Sequence, residues 1–252
     1  MNGPLAGKRA LITGSSHGVG RAAALLFAEQ GAEVILHGNQ NMADADTAVQ
    51  EIGPRALGAV QADLLMPGAG RELYDAALHL AGGRLDIVVN NAGIHWDTPL
   101  NATDETWEAN WAGTLQLNVM AVADICRAAI PEMQESGGGT IINIASRAGY
   151  RGEDKDHMGY AASKGAVLAL TKTIARQWGE HGIYAFALAP GWINTRMAPQ
   201  NAAGIQAAQT EIPIGRMAEP EEIAAMCAFL ASGACNSATG SCIDINGASY
   251  VR

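Results

Sequence analysis

The segment Leu11-Ile12-Thr13-Gly14-Ser15-Ser16-His17-Gly18-Val19-Gly20-Arg21 decides the reading of the fold. A short apolar run stops at a glycine, and a helical pattern opens a few residues later. Gly14 permits a tight turn. Gly18 and Gly20 remove side chains where a backbone must approach a phosphate and where a helix must meet a sheet. The first turn of such a helix offers unpaired N–H groups and a positive dipole end to an anion. The spacing is G-x-x-x-G-x-G rather than G-x-G-x-x-G. Alone, it fits a nucleotide-binding turn and a plain strand–helix turn alike.

The same alternation continues along the chain. Strands are predicted at Arg9–Thr13, Glu33–His37, Ala56–Gln61, Asp86–Asn90, Thr140–Ala145, Tyr184–Ala189 and Cys242–Ile245. Helices are predicted at Val19–Gln30, Ala43–Glu51, Gly70–Leu80, Asp104–Met133, Gly159–Gly179 and Glu219–Ala231. Runs such as Ile87-Val88-Val89 lack polar alternation, as expected of strands covered on both faces. The expectation is an α/β fold: a doubly wound, Rossmann-type parallel sheet of about seven strands with helices on both faces. Residues 1–252 read as a single domain. Its one long irregular stretch, Pro190 to Met217, is the candidate substrate lid.

Composition narrows the classes. The chain has 252 residues, 48% hydrophobic and 16% charged, enough for a core without disulfide or metal staples. A net charge of −9 and the lack of a Lys/Arg run argue against nucleic acid as a partner. Cys126, Cys227, Cys235 and Cys242 form no C-x-x-C pair and read as free thiols in a reducing cytoplasm. Met1 to Lys8 lacks an apolar h-region, so no signal peptide is expected. No apolar run is long enough for a membrane span. No H-E-x-x-H or similar ligand cluster occurs, so no metal is expected.

Chemistry is concentrated further along. Tyr160 and Lys164 share one face at the start of a predicted helix. A free phenol titrates near ~10, too high for efficient acid/base work at neutral pH, and a neighbouring cation favours the phenolate. A surface tyrosine followed by a solvated lysine has the same spacing. Ser146 follows a predicted strand directly, at the carboxyl end where open α/β sheets bind ligands.

Together these segments resemble the short-chain dehydrogenase/reductase family over essentially the full chain. The matching signatures are Thr13-Gly14-x-x-x-Gly18-x-Gly20, Asn90-Asn91-Ala92-Gly93, Asn118, Ser146, Tyr160-x-x-x-Lys164 and Pro190-Gly191-x-x-x-Thr195. Trp111, seven residues before Asn118, supports that alignment. The resemblance implies hydride transfer between a nicotinamide cofactor and a carbonyl or secondary alcohol. Tyr160 would be the general acid/base and Ser146 would polarise the carbonyl. Lys164 would lower the tyrosine pKa and bind the nicotinamide ribose, and Asn118 would position a water. The implied cofactor contacts are Gly14, Ser16, His17, Gly18, Val19 and Gly20 in the turn, Asn39, Asp63 and Leu64 beyond the next strands, and Asn91, Ala92 and Gly93. Tyr160, Lys164, Pro190, Gly191, Ile193 and Thr195 complete the set. Such enzymes are usually homotetramers or dimers, paired through the Asp104–Met133 and Gly159–Gly179 helices and the C-terminal region. A non-catalytic nucleotide-binding scaffold on the same fold is the alternative, and should lack one of these residues.

Cofactor choice turns on the end of the second strand, His37-Gly38-Asn39-Gln40. An acid there would grip both ribose hydroxyls and repel a 2′-phosphate. By the resemblance Gly38 stands where NAD-preferring members carry that acid and Asn39 where NADP-preferring members often carry Arg, so both markers are absent; NADP(H) is slightly favoured over NAD(H), with His17 as a partial cation. The substrate is a small carbonyl or alcohol. A 3-oxoacyl carrier-protein reductase suits the resemblance, and a sugar, polyol or other secondary alcohol dehydrogenase suits it nearly as well. Ile94, His95, Trp96, Arg147, Tyr150, Arg151, His157 and Trp192 flank the catalytic set. Arg147 and Arg151 could grip an anion. They could equally pair internally with Glu153, Asp154 and Asp156.

Overall fold

A computed structural model describes residues 3–40 and 42–252. The expectation for the extreme N-terminus rests partly on Met1 and Asn2, outside the described residues. In chain order the elements are β1 (Arg9–Ile12), α1 (Gly18–Glu29), β2 (Glu33–Gly38), α2 (Ala43–Ile52), β3 (Ala56–Gln61), α3 (Ala69–Leu80) and β4 (Ile87–Asn90). Then come α4 (Asp104–Leu115), a π-helical turn (Gln116–Met120), α5 (Ala121–Glu135), β5 (Gly139–Ile144) and α6 (Ala148–Arg151). The last are α7 (Met158–Trp178), β6 (Ile183–Pro190), α8 (Ala202–Thr210), α9 (Pro220–Ala231) and β7 (Cys242–Ile245).

All the strands pair in parallel, in the order β3-β2-β1-β4-β5-β6-β7. Winding reverses between β1 and β4, which opens a crevice at their carboxyl ends, where ligands bind in such sheets. Period-2 side-chain alternation explains the uninterrupted apolar runs. Ile12, Leu36 and Val89 enter one core with α1 and α9, while Leu11, Ile35 and Val88 enter the other with α3 and α5. Both faces of the sheet are thereby dry, and the strand ends are held rigidly.

Helix starts follow local chemistry. Thr103 caps α4 by accepting from the Thr106 N–H at 3.2 Å. A capping box between Glu219 and Glu222, with Pro220 in the first turn, starts α9.

Two expectations about elements need correction. The helix expected over Asp104–Met133 is α4 and α5 separated by the π turn. Inside that turn Asn118 is buried and bonded to the β4 loop, which absorbs the inserted residue. The stretch Pro190–Met217, read as irregular, contains α8, whose Asn201 N-cap accepts from the Gly204 N–H at 2.7 Å. Val167, Leu168 and Ile174 of α7 are buried in this chain's own core. All four cysteines are free thiols. No helix among the described residues is long and apolar enough to cross a membrane.

Candidate active site

A cavity of about 330 Å³ runs along the carboxyl ends of the strands. Its walls include Gly14, Ser16, His17, Gly18, Val19, Asn39, Leu64, Asn91, Ala92, Gly93, Ser146, Tyr160, Lys164, Pro190, Gly191, Ile193 and Thr195. These residues come from seven separate stretches of sequence. Three expected residues, Gly20, Asp63 and Asn118, are not in its walls.

The glycine turn has the shape the spacing suggested. Gly14 and Gly18 have positive φ, 62° and 56°. A Cβ on Gly18 would stand 3.4 Å from the Thr195 methyl, across the cavity mouth. His17 at the N-cap of α1 makes no side-chain cap, and no acid lies in the first turn. The helix therefore presents uncapped N–H groups and its positive end to the cavity, as a pyrophosphate requires. Gly20 acts behind the wall, where a Cβ would fall 2.3 Å from the Gly14 carbonyl oxygen. It lets helix meet strand.

The β1 and β4 ends are stitched together. The Thr13 hydroxyl accepts from the Asn91 and Ala92 N–H groups, both at 2.9 Å, and Asn91 Nδ2 donates to Thr13 O at 2.8 Å. Asn90 points into the core instead, donating to Asn143 Oδ1 at 2.8 Å. Asp63 closes its own loop by accepting from the Leu65 N–H at 3.1 Å, leaving Leu64 to face the cavity.

His37, at the end of β2, clamps this region. Its Nδ1 accepts from the Gly14 N–H at 2.9 Å, and its Nε2 lies 3.1 Å from the Ala62 carbonyl oxygen. Only the neutral ring with its proton on Nε2 serves both contacts. Burial lowers the pKa of His37, and it pushes His95 down to about 4. The unfolded histidines titrate near ~6.5 and bind more protons below that value than the folded ones do. Stability is thus fully present above about pH 6.5 and declines as pH falls below it. Urea midpoints should drop between about pH 7.5 and about pH 5, and His37→Gln should flatten that slope. A steeper or unchanged slope in the variant would refute the role of His37.

The opposite end of the cavity holds the polar trio. Lys164, buried inside α7, donates to the Ile144 carbonyl at 2.8 Å, and its Nζ lies 5.6 Å from the Tyr160 ring centroid. Burial pushes the lysine down to about 8. Burial also pushes the Tyr160 phenol up, to about 12, while the adjacent Ser146 hydroxyl pulls it back. Sequence spacing suggested a lowered phenol. In the chain alone desolvation sets the direction, because a dry setting penalises the phenolate.

Asn118 is fully engaged. Its Oδ1 accepts from the Ile94 N–H at 2.9 Å, and its Nδ2 donates to Ile94 O at 2.9 Å and Ser163 Oγ at 3.0 Å. The side chain fixes the loop after β4 rather than facing the cavity.

Four features escaped the sequence reading. Glu211, just beyond α8, accepts from Arg147 Nη2 at 2.7 Å, Arg151 Nη1 at 2.5 Å and Trp192 Nε1 at 3.2 Å. Arg151 also pairs with Glu153 at 3.2 Å. Asp154 bonds His157 instead, and no ion pair joins Asp156 to either arginine among the described residues, so the arginines' main partner comes from the Pro190–Met217 stretch rather than their own loop. His95 stacks on His157, centroids 3.8 Å apart, and stands edge-on to Tyr160 at 4.5 Å. Arg196 lines the cavity mouth and pairs with Asp44 of α2 at 3.2 Å. His17 is disfavoured as a cation, by burial first and then by the Arg196 charge. No cluster of three or more His, Cys, Asp or Glu among the described residues is arranged to hold a metal ion.

An uncapped helix N-terminus at a β1/β4 crevice, with a serine, tyrosine and lysine at the far end, defines a Rossmann-type oxidoreductase. Comparison with known proteins agrees. Residues 14–248 match a family model described as enoyl-(acyl carrier protein) reductase. The chain is 35% identical to a 3-oxoacyl-[acyl-carrier-protein] reductase of Thermotoga maritima, over 96% of this chain and 98% of that one. It is 36% identical to an L-fucose dehydrogenase of Oryctolagus cuniculus, over 91% and 80%. A solved blue fluorescent protein from a metagenomic library, in complex with NADPH, superposes with a TM-score of 0.89 at 33% identity over 100% of both chains. The chain belongs to the short-chain dehydrogenase/reductase family. It is an NAD(P)-dependent oxidoreductase acting between CH–OH and C=O.

Proposed function

We propose that Tyr160 is the general acid/base of this oxidoreductase, Ser146 its carbonyl-polarising donor and Lys164 the cation that serves both phenol and ribose. The observation that carries the reading is the convergence of Ser146, Tyr160 and Lys164 on one cavity with the uncapped start of α1. A bound nicotinamide dinucleotide would supply the hydride acceptor in the oxidative direction. The chain's own part is to take the substrate O–H proton on the Tyr160 phenolate. In reverse, negative charge grows on the carbonyl oxygen, and two hydroxyl donors aimed at it stabilise that charge. Asn118 acts at one remove, holding Ile94 and the loop that carries His95.

NADP(H) is the proposed cofactor. The wall at the β2 end contains Gly38 and Asn39 and no carboxylate, with Arg196 and His17 beside them. His17 is held neutral, so Arg196 supplies the cation, reaching over from the lid stretch. Arg196→Ala should weaken NADP(H) binding about tenfold more than NAD(H) binding, read by cofactor fluorescence titration. Gly38→Asp should shift preference toward NAD(H). Its Cβ would stand 2.7 Å from Met42 Sδ, a flexible group that can move aside. A wild type preferring NAD(H) a hundredfold would sink this choice.

The Pro190–Met217 stretch, with α8, is the proposed lid. A homo-oligomeric, cytoplasmic enzyme is the proposed state. Exposed Leu115 and Met120, where α4 gives way to α5, and Phe229 on α9 support pairing through those faces. Light scattering showing only a monomer at micromolar protein would count against it. Turnover of a carbonyl or alcohol panel with each cofactor tests the whole reading.

A further inference from the structure

Beside the reacting pair, two polar groups face the cavity with hydrogen-bonding capacity left over. Neither ring nitrogen of His95 has a hydrogen-bond partner among the described residues, although the ring stands 4.5 Å from that of Tyr160. Its orientation is built rather than incidental. It stacks on His157, which is held from both sides by Asp97 at 2.9 Å and Asp154 at 2.7 Å. The second group is Glu153, whose side chain is only 14% exposed and acts electrostatically on Tyr160. One of its oxygens takes Arg151, and the other takes no hydrogen bond from the described residues.

The charge of this wall is balanced. Arg147 and Arg151 face Glu211 and Glu153, two cations against two carboxylates. These four groups leave a substrate anion no surplus cation, and the nearby Lys164 is the cation proposed to serve the Tyr160 phenol and the ribose. An ionised carboxylate accepts hydrogen bonds and cannot donate them, so the open oxygen of Glu153 requires an O–H or N–H donor from the substrate. An imidazole can donate or accept. An apolar acyl chain packed here would leave both groups desolvated and unpaired, which costs more than the contact returns.

On the reading that this is an oxidoreductase using Tyr160, we infer that its substrate is a small, uncharged polyhydroxylated alcohol or the corresponding carbonyl compound, whose hydroxyls next to the reacting carbon bond His95 and Glu153. The two residues are positioning and specificity groups, while proton transfer stays with Tyr160. Sites built to bond a substrate hydroxyl discriminate strongly against the analogue that lacks it.

The test uses purified full-length protein with NADP+ or NAD+ on aldoses and cyclic polyols, and on cyclohexanol. In the reductive direction it uses a 3-oxobutanoyl thioester with the reduced cofactor. The expected result is a kcat/KM for the best polyhydroxylated substrate at least ~10² above that for cyclohexanol, and above that for the thioester. Glu153→Gln and His95→Phe should each lower the polyol-to-cyclohexanol ratio by at least about tenfold, with NADPH affinity by fluorescence unchanged within about twofold. His95→Gln, which keeps a donor and an acceptor, should restore much of the ratio. A preference for the thioester or for cyclohexanol overturns the inference, as does a ratio that the variants leave unmoved. NADPH binding with no turnover of any alcohol or carbonyl would overturn the oxidoreductase reading beneath it instead.

Discussion

Replacing Tyr160 by phenylalanine is expected to lower turnover by at least ~10², because it removes the proton donor and one of two contacts to the reacting oxygen. The loss should fall on kcat and kcat/KM together, the mark of an interaction made in the transition state. Affinity for NADPH should persist, since the phosphate-binding turn lies at the other end of the cavity. The fold should also persist: the ring keeps its edge-on packing against His95, and among the described residues Ser146 is the hydroxyl's hydrogen-bond partner. The pH profile supplies the decisive readout. With the phenol held well above neutrality by burial, oxidation by the wild type should rise with pH and reduction should fall. The variant's residual rate should lose that dependence. A variant retaining near-native turnover would show that another group carries the proton.

That the trio could be read from sequence at all follows from its locality. Ser146 sits two residues past β5, and Tyr160 and Lys164 are about one helical turn apart, so strand-end and helix-face rules bring them together without tertiary knowledge. The glycine turn is local in the same way. What escaped was set by partners far along the chain. Gln116–Met120 contains no glycine or proline and reads as ordinary helix; its π turn exists because Asn118 bonds Ile94, twenty-four residues earlier. Ala202–Thr210 is short and carries Gly204, so its helical pattern was weak, although Asn201 was a usable N-cap signal. His37 gave no periodic signal for a clamp whose two partners lie on other strands' loops. Spacing could place a lysine beside the phenol, but the sign of the phenol's shift depended on burial, which spacing does not report. The acids next to Arg147 and Arg151 in sequence were the natural candidates for pairing. Glu211, sixty residues on, became their shared partner because the stretch that follows α8 folds back over them.

Glu211 is accordingly where a single substitution outside the reacting trio should have its greatest effect. The Arg147 side chain is 3% exposed, and its other terminal nitrogen, Nη1, is buried without a partner. Glu211→Ala would leave that guanidinium buried with no counter-charge and would release Trp192 and Arg151 as well. Stranding one member of a buried pair typically costs ~3–5 kcal/mol. The Glu211 side chain is 37% exposed, so water can partly replace it. The expected loss is about 2–3 kcal/mol, a drop in melting temperature of about 5–10 °C for a chain of this size. Glu211→Gln retains acceptor capacity and should lose less. The double change Arg147→Met with Glu211→Leu removes the buried Arg147 charge together with its partner and should recover part of the stability, because Arg151 keeps Glu153 and only Trp192 Nε1 loses its acceptor. Function separates the remaining possibility. Arg147 follows Ser146 directly, and its N–H donates to Pro190 O at 3.0 Å, where the proposed lid stretch begins. If Glu211 also fastens a closed lid, the double variant should regain melting temperature without regaining KM for substrate. Equal recovery of both would confine Glu211 to charge compensation, and an unchanged melting temperature in Glu211→Ala would refute the buried pair outright.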